Sequence, residues 1–492
     1  MSLSVASDLY IGGEWVAPSS GQREAVINPA TEEVIGMAPV GDRTDVEQAI
    51  ACAREAFDKG PWPRMSMQER VAILGKMLGW LESNRGRIVD LIIREAGATA
   101  MLAEFMQYGV PMKHAATMLK DALLIQPKYA PAEVTPNFTG QKVLGTAITV
   151  HDPIGVVACI TPYNFPYFLN IGKLYHALTM GNTAILKPSP FTPFEALIIG
   201  EAAQAVGLPK GVLNIVTGDV KTGELLTTDK RVDMVSFTGS DKVGSLIMAQ
   251  GAPTLKKMHL ELGGKSALII RGDADLEKAS MDAIAGFTIH AGQGCALTTR
   301  ILVHNSIRKA FVERLGMMVG HMKVGNPADP TVQMGPLIRD AARKRSEMYT
   351  EIAMGEGATL VCGGKRPVGL DRGFYFEPTL FDNVTNNMRI AQEEVFGPIG
   401  AVIGFDSDDE AVQIANDSDF GLGGGIYSAD AGTAYEMALQ IRTGTLAING
   451  GAGTMLSSTP FGGVKRSGIG REYGIDALLE FTQAKSISFH AG

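Results

Sequence analysis

The feature that most constrains this chain is a regular alternation of apolar and amphipathic segments between residues 154 and 261. The apolar segments are short and continuous, which is typical of strands buried on both faces of a parallel sheet. The segments between them have helical periodicity, so the pattern predicts an α/β fold with a doubly wound parallel sheet. Ligands of such sheets bind at the carboxyl ends of the strands. The predicted strands are Val156–Ile160, Thr183–Leu186, Val212–Val216, Met234–Phe237 and Lys257–Leu260, and the predicted helices are Pro166–Met180, Thr192–Val206, Lys221–Thr228 and Lys242–Gln250.

The flanking regions follow other patterns. Residues 1–120 are predicted to be helical, with capping boxes at Thr44–Glu47 and Ser66–Glu69, and residues 126–150 are predicted to be extended. A second α/β unit is predicted after residue 261, and the alternating tail Ser486–His490 indicates a strand that could pair with another subunit. The elements predicted for the second unit are the strand Ala267–Ile270, the helix Asp275–Ala291 and the strand Thr299–His304.

Composition excludes several classes of function. The 492 residues carry a net charge of −8, which argues against nucleic acid as a partner because phosphate binding needs clustered Lys and Arg. No apolar run approaches the ~18 residues that span a bilayer, and residues 1–10 lack the basic start of a secretory signal. The 4 cysteines show no metal-ligand spacing, so we expect no metal site and a cytoplasmic location.

One cysteine differs from the other three. Cys52, Cys159 and Cys362 lie in segments where a small core hydrophobe is expected. Cys295 lies in the turn Gly292–Ala296, where flanking glycines leave the sulfur open to a substrate carbon. A thiolate there could attack a carbonyl group, although a turn cysteine without a role is the alternative.

Two polar residues follow predicted strands of the sheet. Glu261 precedes Gly263-Gly264, a pair that allows close backbone approach to a ligand, and its apolar surroundings suit a general base with a raised pKa. Asn164 follows the first strand between bulky apolar residues, and its amide could donate to an oxyanion. Taken alone, a capping or ion-paired glutamate and an ordinary turn asparagine are the alternatives.

Two further segments suit a dinucleotide. Lys187 ends the second strand, where it would meet a ribose or a phosphate, and Phe237–Gly244 runs from a strand through a tight turn into a helix N-terminus that can bind an anion. Gly468–Gly474 nearly spells the G-x-G-x-x-G fingerprint, but it has one residue too many and no preceding strand, so it is predicted to be a loop.

Taken together, these segments resemble the aldehyde dehydrogenase superfamily over nearly the whole chain. Their order and approximate spacing match the family's motifs, and chance does not explain seven matches in order. The matching segments are Pro162–Pro166, Leu186–Pro188, Phe237–Ser240, Leu260–Gly264, Gly292–Cys295, Glu393–Pro398 and Pro460–Gly463.

The resemblance implies a role for each catalytic residue. Cys295 would be the nucleophile, Asn164 and the Cys295 N–H would hold the oxyanion, and Glu261 would activate water for thioester hydrolysis. The cofactor would be NAD, with Lys187 and Glu394 on ribose hydroxyls, Phe396 beside the nicotinamide and Ser240 at the pyrophosphate. The other expected cofactor contacts are Thr161, Pro162, Tyr163, Gly218, Gly223, Phe237, Gly239 and Leu262.

The resemblance also implies three domains and a homodimer or homotetramer. Residues 1–122 and 145–260 would form the dinucleotide-binding domain, residues 261–470 the catalytic domain, and residues 123–144 and 471–492 the oligomerisation element.

The sequence departs from the family in places. Many NAD-preferring members carry an acid where this chain has Pro190, so NADP is not excluded. Gly172 and Ala452–Thr454 replace the aromatic residues that some members place along the substrate tunnel, which predicts a wide tunnel.

The predicted reaction is oxidation of an aldehyde to its acid through a thioester on Cys295. A CoA-acylating dehydrogenase is one alternative, and Glu261 argues against it because a positioned base favours water. A cysteine hydrolase that pairs Cys295 with His290 and a non-catalytic protein of the same fold are the others, and the first of these lacks a third residue placed by sequence.

Overall fold

The computed structural model describes residues 5–450 and 456–491. Its strands in chain order are β1 (Leu9–Ile11), β2 (Glu14–Val16), β3 (Arg23–Ile27), β4 (Val34–Pro39), β5 (Lys128–Tyr129), β6 (Glu133–Pro136), β7 (Lys142–Pro153), β8 (Val156–Ile160), β9 (Thr183–Lys187), β10 (Leu213–Ile215), β11 (Met234–Thr238), β12 (Lys257–Glu261), β13 (Ala267–Ile270), β14 (Arg300–His304), β15 (Thr359–Cys362), β16 (Thr379–Asp382), β17 (Ile399–Phe405), β18 (Phe420–Gly421), β19 (Gly424–Tyr427), β20 (Ala447–Ile448), β21 (Val464–Lys465), β22 (Gly468–Ile469) and β23 (Thr482–Ala491).

Helices cover the sheets and connect their strands. The α-helices are α1 (Arg43–Asp58), α2 (Met67–Ser83), α3 (Arg85–Ala96), α4 (Val110–Ala122), α5 (Pro166–Thr179), α6 (Phe194–Ala205), α7 (Val220–Thr228), α8 (Asp241–Gly251), α9 (Leu276–Thr288), α10 (Asn305–Gly320), α11 (Asp340–Gly355), α12 (Arg389–Gln392), α13 (Asp408–Asn416), α14 (Ala431–Gln440) and α15 (Gly474–Glu480). A π-helix spans Leu102–Gly109, and short 3₁₀-helices span Trp62–Arg64, Ala252–Thr254 and Ile289–Gly292.

The first sheet has the strand order β2-β1-β10-β9-β8-β11-β12-β22. Its strands from β10 to β12 are parallel, and antiparallel strands close both edges. Strands β8, β9 and β11 are buried along their whole length, because helices pack on both faces. The predicted doubly wound sheet is therefore confirmed, and β8 and β13 have the predicted bounds.

A second sheet carries the rest of the α/β structure. Its order is β15-β16-β17-β14-β13-β19-β20, with parallel pairing from β16 to β20 and an antiparallel strand β15 at one edge. Strand β13 follows β12 of the first sheet after a short link that contains Gly263 and Gly264. The carboxyl end of the first sheet is therefore connected directly to the second sheet.

The predicted extended region and the tail strand meet in a third sheet. Strand β23 pairs antiparallel with β7 from Thr482–Pro153 to Ala491–Leu144, and β5 and β6 also pair with β7. Strand β7 continues to Pro153, past the boundary predicted at residue 144. The domain boundaries otherwise remain a prediction.

Four predictions about local structure are wrong. The first is that residues 1–120 are helical, because residues 9–39 form the strands β1 to β4. The loop of the first hairpin, Gly12-Gly13, has positive φ angles that are typical of tight turns. The N-cap of α1 is Asp42, whose capping box closes with Asp45 and not at Thr44–Glu47, whereas the box at Ser66–Glu69 is confirmed.

The third error concerns the helix predicted for Asp275–Ala291. It ends at Thr288, because His290 and Ala291 have φ angles of 51° and 53° that no right-handed helix accommodates. The fourth concerns Gly468–Ile469, which forms the edge strand β22 beside Leu260 and Glu261 and is not a loop. Among the described residues, no helix is both long and apolar enough to cross a membrane.

Candidate active site

A cavity of about 590 Å³ brings together residues from both α/β sheets. Its walls include Asn164, which follows β8, and Cys295, which precedes β14. Much of the remaining wall is apolar or glycine, so the cavity suits the body of an organic substrate. Further lining residues are Met106, Phe165, Phe168, Leu169, Ile289, Leu297, Leu446, Leu456, Phe461, Glu472 and Tyr473.

Cys295 lies on a turn whose backbone is held in an uncommon conformation. His290, Ala291 and Gly292 have φ angles of 51°, 53° and 74°, and three successive left-handed residues turn the chain sharply after α9. The side chain of Cys295 is half-buried and lines the cavity. Burial raises the pKa of Cys295 to about 12, and the negative charges of Glu261 and Glu394 add to the effect. The thiol must therefore lose a proton before it can attack.

Asn164 is buried, and its side-chain amide is held against the turn that carries Cys295, called the nucleophile turn below for the role predicted for Cys295. Its Nδ2 donates a hydrogen bond of 2.8 Å to the carbonyl oxygen of Gln293. An amide nitrogen carries two protons, so a second N–H remains for an oxygen in the cavity. Gln293 is itself fixed, because its Oε1 accepts a bond of 3.0 Å from the Ile338 N–H.

Glu261 ends β12 and is buried, but it does not line the cavity. Both oxygens of its carboxyl group lack a hydrogen-bond partner among the described residues. Burial raises the pKa of Glu261 well above its usual range, and the nearby charge of Glu472 raises it further. Such a carboxyl group takes up a proton readily, which suits a general base.

Two residues that the sequence analysis missed surround Glu261. Lys173 of α5 and Glu472 form a buried ion pair with an Nζ–Oε1 distance of 2.9 Å, and the Ser236 hydroxyl accepts a 3.2 Å bond from the same Nζ. The positive charge of Lys173 helps to keep the pKa of Glu472 below its usual range. A lysine in the middle of a largely apolar helix was the signal that could have revealed the pair.

The pair Gly263-Gly264 allows other segments of the protein to approach closely. A Cβ added at Gly263 would collide with the carboxylate of Glu394, and one added at Gly264 would lie 2.6 Å from the carbonyl oxygen of Cys295. A Cβ added at Gly292 would likewise collide with the backbone of Gly397. These glycines let the ends of the base strand, the nucleophile turn and the Glu394–Gly397 loop touch one another.

Several predicted cofactor residues lie at the carboxyl edge of the first sheet. Lys187 ends β9 and is 6% exposed, its Nζ donates to the Pro188 carbonyl at 3.2 Å, and burial lowers its pKa to about 8. Ser240 caps the N-terminus of α8, since its hydroxyl accepts from the Val243 N–H. Thr161 follows β8, and its N–H donates to the Lys187 carbonyl at 3.1 Å. The edge thus combines a cation with the N-terminus of a helix.

Glu394 and Phe396 lie in the loop between α12 and β17 of the second sheet, and they face this edge. Glu394 accepts a bond of 3.0 Å from the Gly264 N–H, and burial raises its pKa to about 7. Phe396 has a φ angle of 56°, and its ring meets the ring of Tyr163 edge-on at 6.2 Å. Arg345 of α11 holds the loop, because its guanidinium donates to the carbonyls of Glu394 and Val395 at 2.6 and 2.9 Å.

The remaining predicted contacts shape the backbone of this cleft. The Phe237 ring packs over Gly239, and Leu262 packs against Gly244 of α8. Gly218 leaves room for the Thr222 hydroxyl, and Pro162 is half-buried beside Thr161 and Tyr163. A Cβ at Gly223 would lie 3.6 Å from Cδ of Lys187, so the lysine stem passes over the first turns of α7.

Two sequence hypotheses have a different outcome in the structure, and a third concerns residues that the structure does not describe. Gly172 is not a lining residue of the cavity, and a Cβ added there would lie 3.1 Å from the Tyr473 hydroxyl. The imidazole of His290 packs edge-on against Phe165 and does not line the cavity, so the geometry gives no support to a cysteine hydrolase. Residues 452–454 lie outside the described residues.

The cleft fits a nicotinamide dinucleotide. A buried lysine, a helix N-terminus and the half-buried carboxylate of Glu394 lie on the walls of the cleft, as the ribose hydroxyls and the pyrophosphate of such a cofactor require. The carboxylate of Glu394 also lies against Gly263, and the next residue, Gly264, lies against the Cys295 carbonyl. The cleft therefore adjoins the cavity of Cys295.

Comparisons with known proteins agree with this geometry. The model of the aldehyde dehydrogenase family matches residues 15–487. An aldehyde dehydrogenase from Mycobacterium tuberculosis, solved in complex with NAD⁺, is 40% identical with a TM-score of 0.92, and the match covers 98% of this chain and 97% of that one.

Two further structures show the same fold. A double mutant of betaine aldehyde dehydrogenase from Staphylococcus aureus, in complex with NAD⁺ and with a BME-modified cysteine, is 36% identical with a TM-score of 0.93, covering 99% of this chain and 98% of that one. A mutant aldehyde dehydrogenase from Bacillus cereus is 34% identical with a TM-score of 0.93, covering 99% and 97%. This chain therefore belongs to the aldehyde dehydrogenase family.

Proposed function

We propose that this chain oxidises aldehydes to carboxylic acids with NAD⁺ through a thioester on Cys295. The observation that carries the proposal is that Cys295 and the Asn164 amide line one apolar cavity, which adjoins the cofactor cleft. Glu261 is connected to both through Gly264, which touches the Cys295 carbonyl. A nucleophile and an oxyanion donor therefore share one cavity, and the proposed base ends the strand that leads to this cavity through Gly263 and Gly264.

The chemistry follows from these positions. The Cys295 thiol gives its proton to water, the resulting thiolate adds to the aldehyde carbon, and the free N–H of Asn164 and the N–H of Cys295 stabilise the oxyanion. Bound NAD⁺ supplies the acceptor for the hydride that leaves the same carbon. Loss of the hydride converts the adduct to a thioester on Cys295, and water that has given a proton to Glu261 then attacks the thioester. The acid leaves and the thiol is regenerated.

A water-using reaction is favoured over transfer to CoA. Glu261 is buried with a raised pKa and no hydrogen-bond partner among the described residues, so its carboxylate is available to take a proton from water. A thiol acceptor such as CoA would not need this base, because thiols ionise far more readily than water. The CoA-acylating alternative is therefore the weaker hypothesis.

The chain is further proposed to work in the cytoplasm as a homodimer or homotetramer. The third sheet supports the assembly, because its apolar side chains Val134, Leu144, Ile487 and Phe489 are 62%, 50%, 42% and 50% exposed. A second copy could cover them. The free cysteines support the location, since Cys52, Cys159, Cys295 and Cys362 form no disulfide.

The first test is the variant Cys295→Ala. We expect it to abolish reduction of NAD⁺ in the presence of an aldehyde, because Cys295 is the only thiol among the described residues that line the cavity. NAD⁺ binding, measured by quenching of protein fluorescence, should stay close to that of the wild type. Turnover within tenfold of the wild type would refute the role of Cys295.

The second test is the variant Glu261→Gln. Hydride transfer should remain fast while thioester hydrolysis slows by about 10²–10⁴-fold, the usual contribution of a general base. A rapid burst of NADH should therefore precede a slow steady state in stopped-flow measurements.

The pH dependence of thioester hydrolysis, compared between the wild type and Glu261→Gln, provides the control. The base works only when ionised, and the pKa of Glu261 is raised, so hydrolysis by the wild type should rise with pH through that raised pKa. The variant should lack this rise. A burst and a steady state that fall by the same factor would argue against Glu261 as the deacylation base.

The third test concerns the substrate. Among the described lining residues, Glu472 is the only charged one, and Lys173 already neutralises it at 2.9 Å. A substrate carboxylate would lose its hydration without gaining a cation. We expect kcat/KM for hexanal to exceed that for 6-oxohexanoate, which differs by one terminal carboxylate, by at least about tenfold. Equal values would show that the cavity does not select apolar aldehydes.

The fourth test concerns the cofactor. The absence of an acid at Pro190 predicts weak discrimination against NADP⁺, but the structure adds Asp219, an acid that the sequence analysis missed. Asp219 caps α7, over whose first turns Lys187 passes, and its charge raises the pKa of Lys187 against the effect of burial. A 2′-phosphate at Lys187 would meet this carboxylate, and such like-charge contacts cost several kcal/mol.

We therefore expect the wild type to prefer NAD⁺. The variant Asp219→Asn can still cap α7, and it should raise the ratio of kcat/KM for NADP⁺ to kcat/KM for NAD⁺ by about tenfold or more. The control variant Glu224→Gln removes a charge from an exposed site later in α7 and should leave the ratio unchanged. A ratio that Asp219→Asn does not alter would exclude Asp219 as the discriminating residue.

A further inference from the structure

The π-helix Leu102–Gly109 lies beside the proposed active site. Its wide turns are rare in proteins and are frequent at functional sites. Within it, Met106 lines the cavity and Gln107 is fully buried, whereas the side chain of Phe105 is 68% exposed. The wide turn therefore directs two successive residues, Met106 and Gln107, toward the site.

Gln107 contacts the residue that we propose as the oxyanion donor. Its Nε2 donates a hydrogen bond of 3.2 Å to the backbone carbonyl of Asn164. The side chain of Asn164 is held at its other end, where Nδ2 donates to the Gln293 carbonyl at 2.8 Å. Asn164 is therefore fixed between the π-helix and the nucleophile turn.

The orientation of the Gln107 amide is informative. Its Oε1 is buried and has no hydrogen-bond partner among the described residues, and a buried acceptor without a partner is unfavourable. An apolar side chain of similar size would avoid that cost, but it could not donate a hydrogen bond to the Asn164 carbonyl, as Gln107 does.

We propose that Gln107 is a positioning residue that holds Asn164 so that its free N–H points at the reacting oxygen. This inference rests on the proposed function, since it assumes that Asn164 stabilises the oxyanion. Gln107 does not line the cavity, so it acts through Asn164. Loss of its hydrogen bond would leave the Asn164 amide less well aligned in the transition state, while the cavity keeps its shape.

The test is Gln107→Met, which keeps the length of the side chain and removes the donor. We expect kcat for aldehyde oxidation to fall about tenfold, which corresponds to about 1.4 kcal/mol, with little change in KM for the aldehyde. Hydrolysis of p-nitrophenyl acetate by Cys295 should fall by a similar factor, because attack on the ester also creates an oxyanion. Alkylation of Cys295 by iodoacetamide creates no oxyanion and should proceed at the wild-type rate.

A second variant and a control make the result specific. Gln107→Glu has the same shape but presents a carboxylate oxygen to the Asn164 carbonyl, and it should lose at least as much turnover as Gln107→Met. The control Phe105→Leu changes an exposed residue of the same π-helix and should retain both activities. Full turnover in both Gln107 variants would overturn the proposal, as would a parallel loss of alkylation, which would indicate general disruption of the site.

The variant Asn164→Ala separates this inference from the proposed function. If Asn164→Ala loses both activities and Gln107→Met loses neither, the oxyanion role stands and the positioning role of Gln107 is wrong. If Asn164→Ala retains both activities, the oxyanion role itself is wrong, and the inference about Gln107 is overturned with it.

Discussion

The active site depends on the close approach of three backbone segments, and this approach requires glycine. Gly263 and Gly264 follow the strand that carries Glu261, and they touch the Glu394 carboxylate and the Cys295 carbonyl. Gly292 touches Gly397 in the same way. Any larger residue at these positions would push the segments apart. The base strand, the nucleophile turn and the cofactor loop are thus held in mutual contact, and the distances among their side chains are set by backbone and not by flexible side chains.

A buried ion pair sets the electrostatics of the same region. Lys173 and Glu472 have side-chain exposures of 0% and 2%, and a buried charge that loses its partner is strongly destabilising. The pair ties α5 to the chain that leads into α15 and the third sheet, and His176 strengthens the connection by accepting a 3.0 Å bond from the Tyr473 N–H. Glu472 also raises the pKa of Glu261, so the ion pair that connects α5 to this part of the chain belongs to the electrostatic environment of the proposed base.

The parts predictable from sequence are those determined by local pattern. Strands β8 and β13 have the predicted bounds because continuous apolar runs bury both of their faces, and Cys295 was recognised because its glycines are adjacent in sequence. Lys173 and Glu472 are 299 positions apart, and Gln107 is 57 positions from Asn164. No periodicity or spacing brings such pairs together, because only the packing of the complete fold does so. The short strands of residues 9–39 were missed because runs of three to six residues carry little periodic signal.

The strained conformations of the site have a common physical explanation. His290, Ala291 and Phe396 all have φ angles between 51° and 56°, and left-handed residues other than glycine cost free energy that the surrounding structure must supply. All three lie on the two segments that Gly292 and Gly397 bring together, and the Arg345 guanidinium holds the second segment through two carbonyls. The strain is therefore concentrated where the nucleophile turn meets the cofactor loop. A relaxed backbone there would move Cys295 relative to Phe396, and, in the reaction that we propose, it would move the aldehyde carbon relative to the nicotinamide ring.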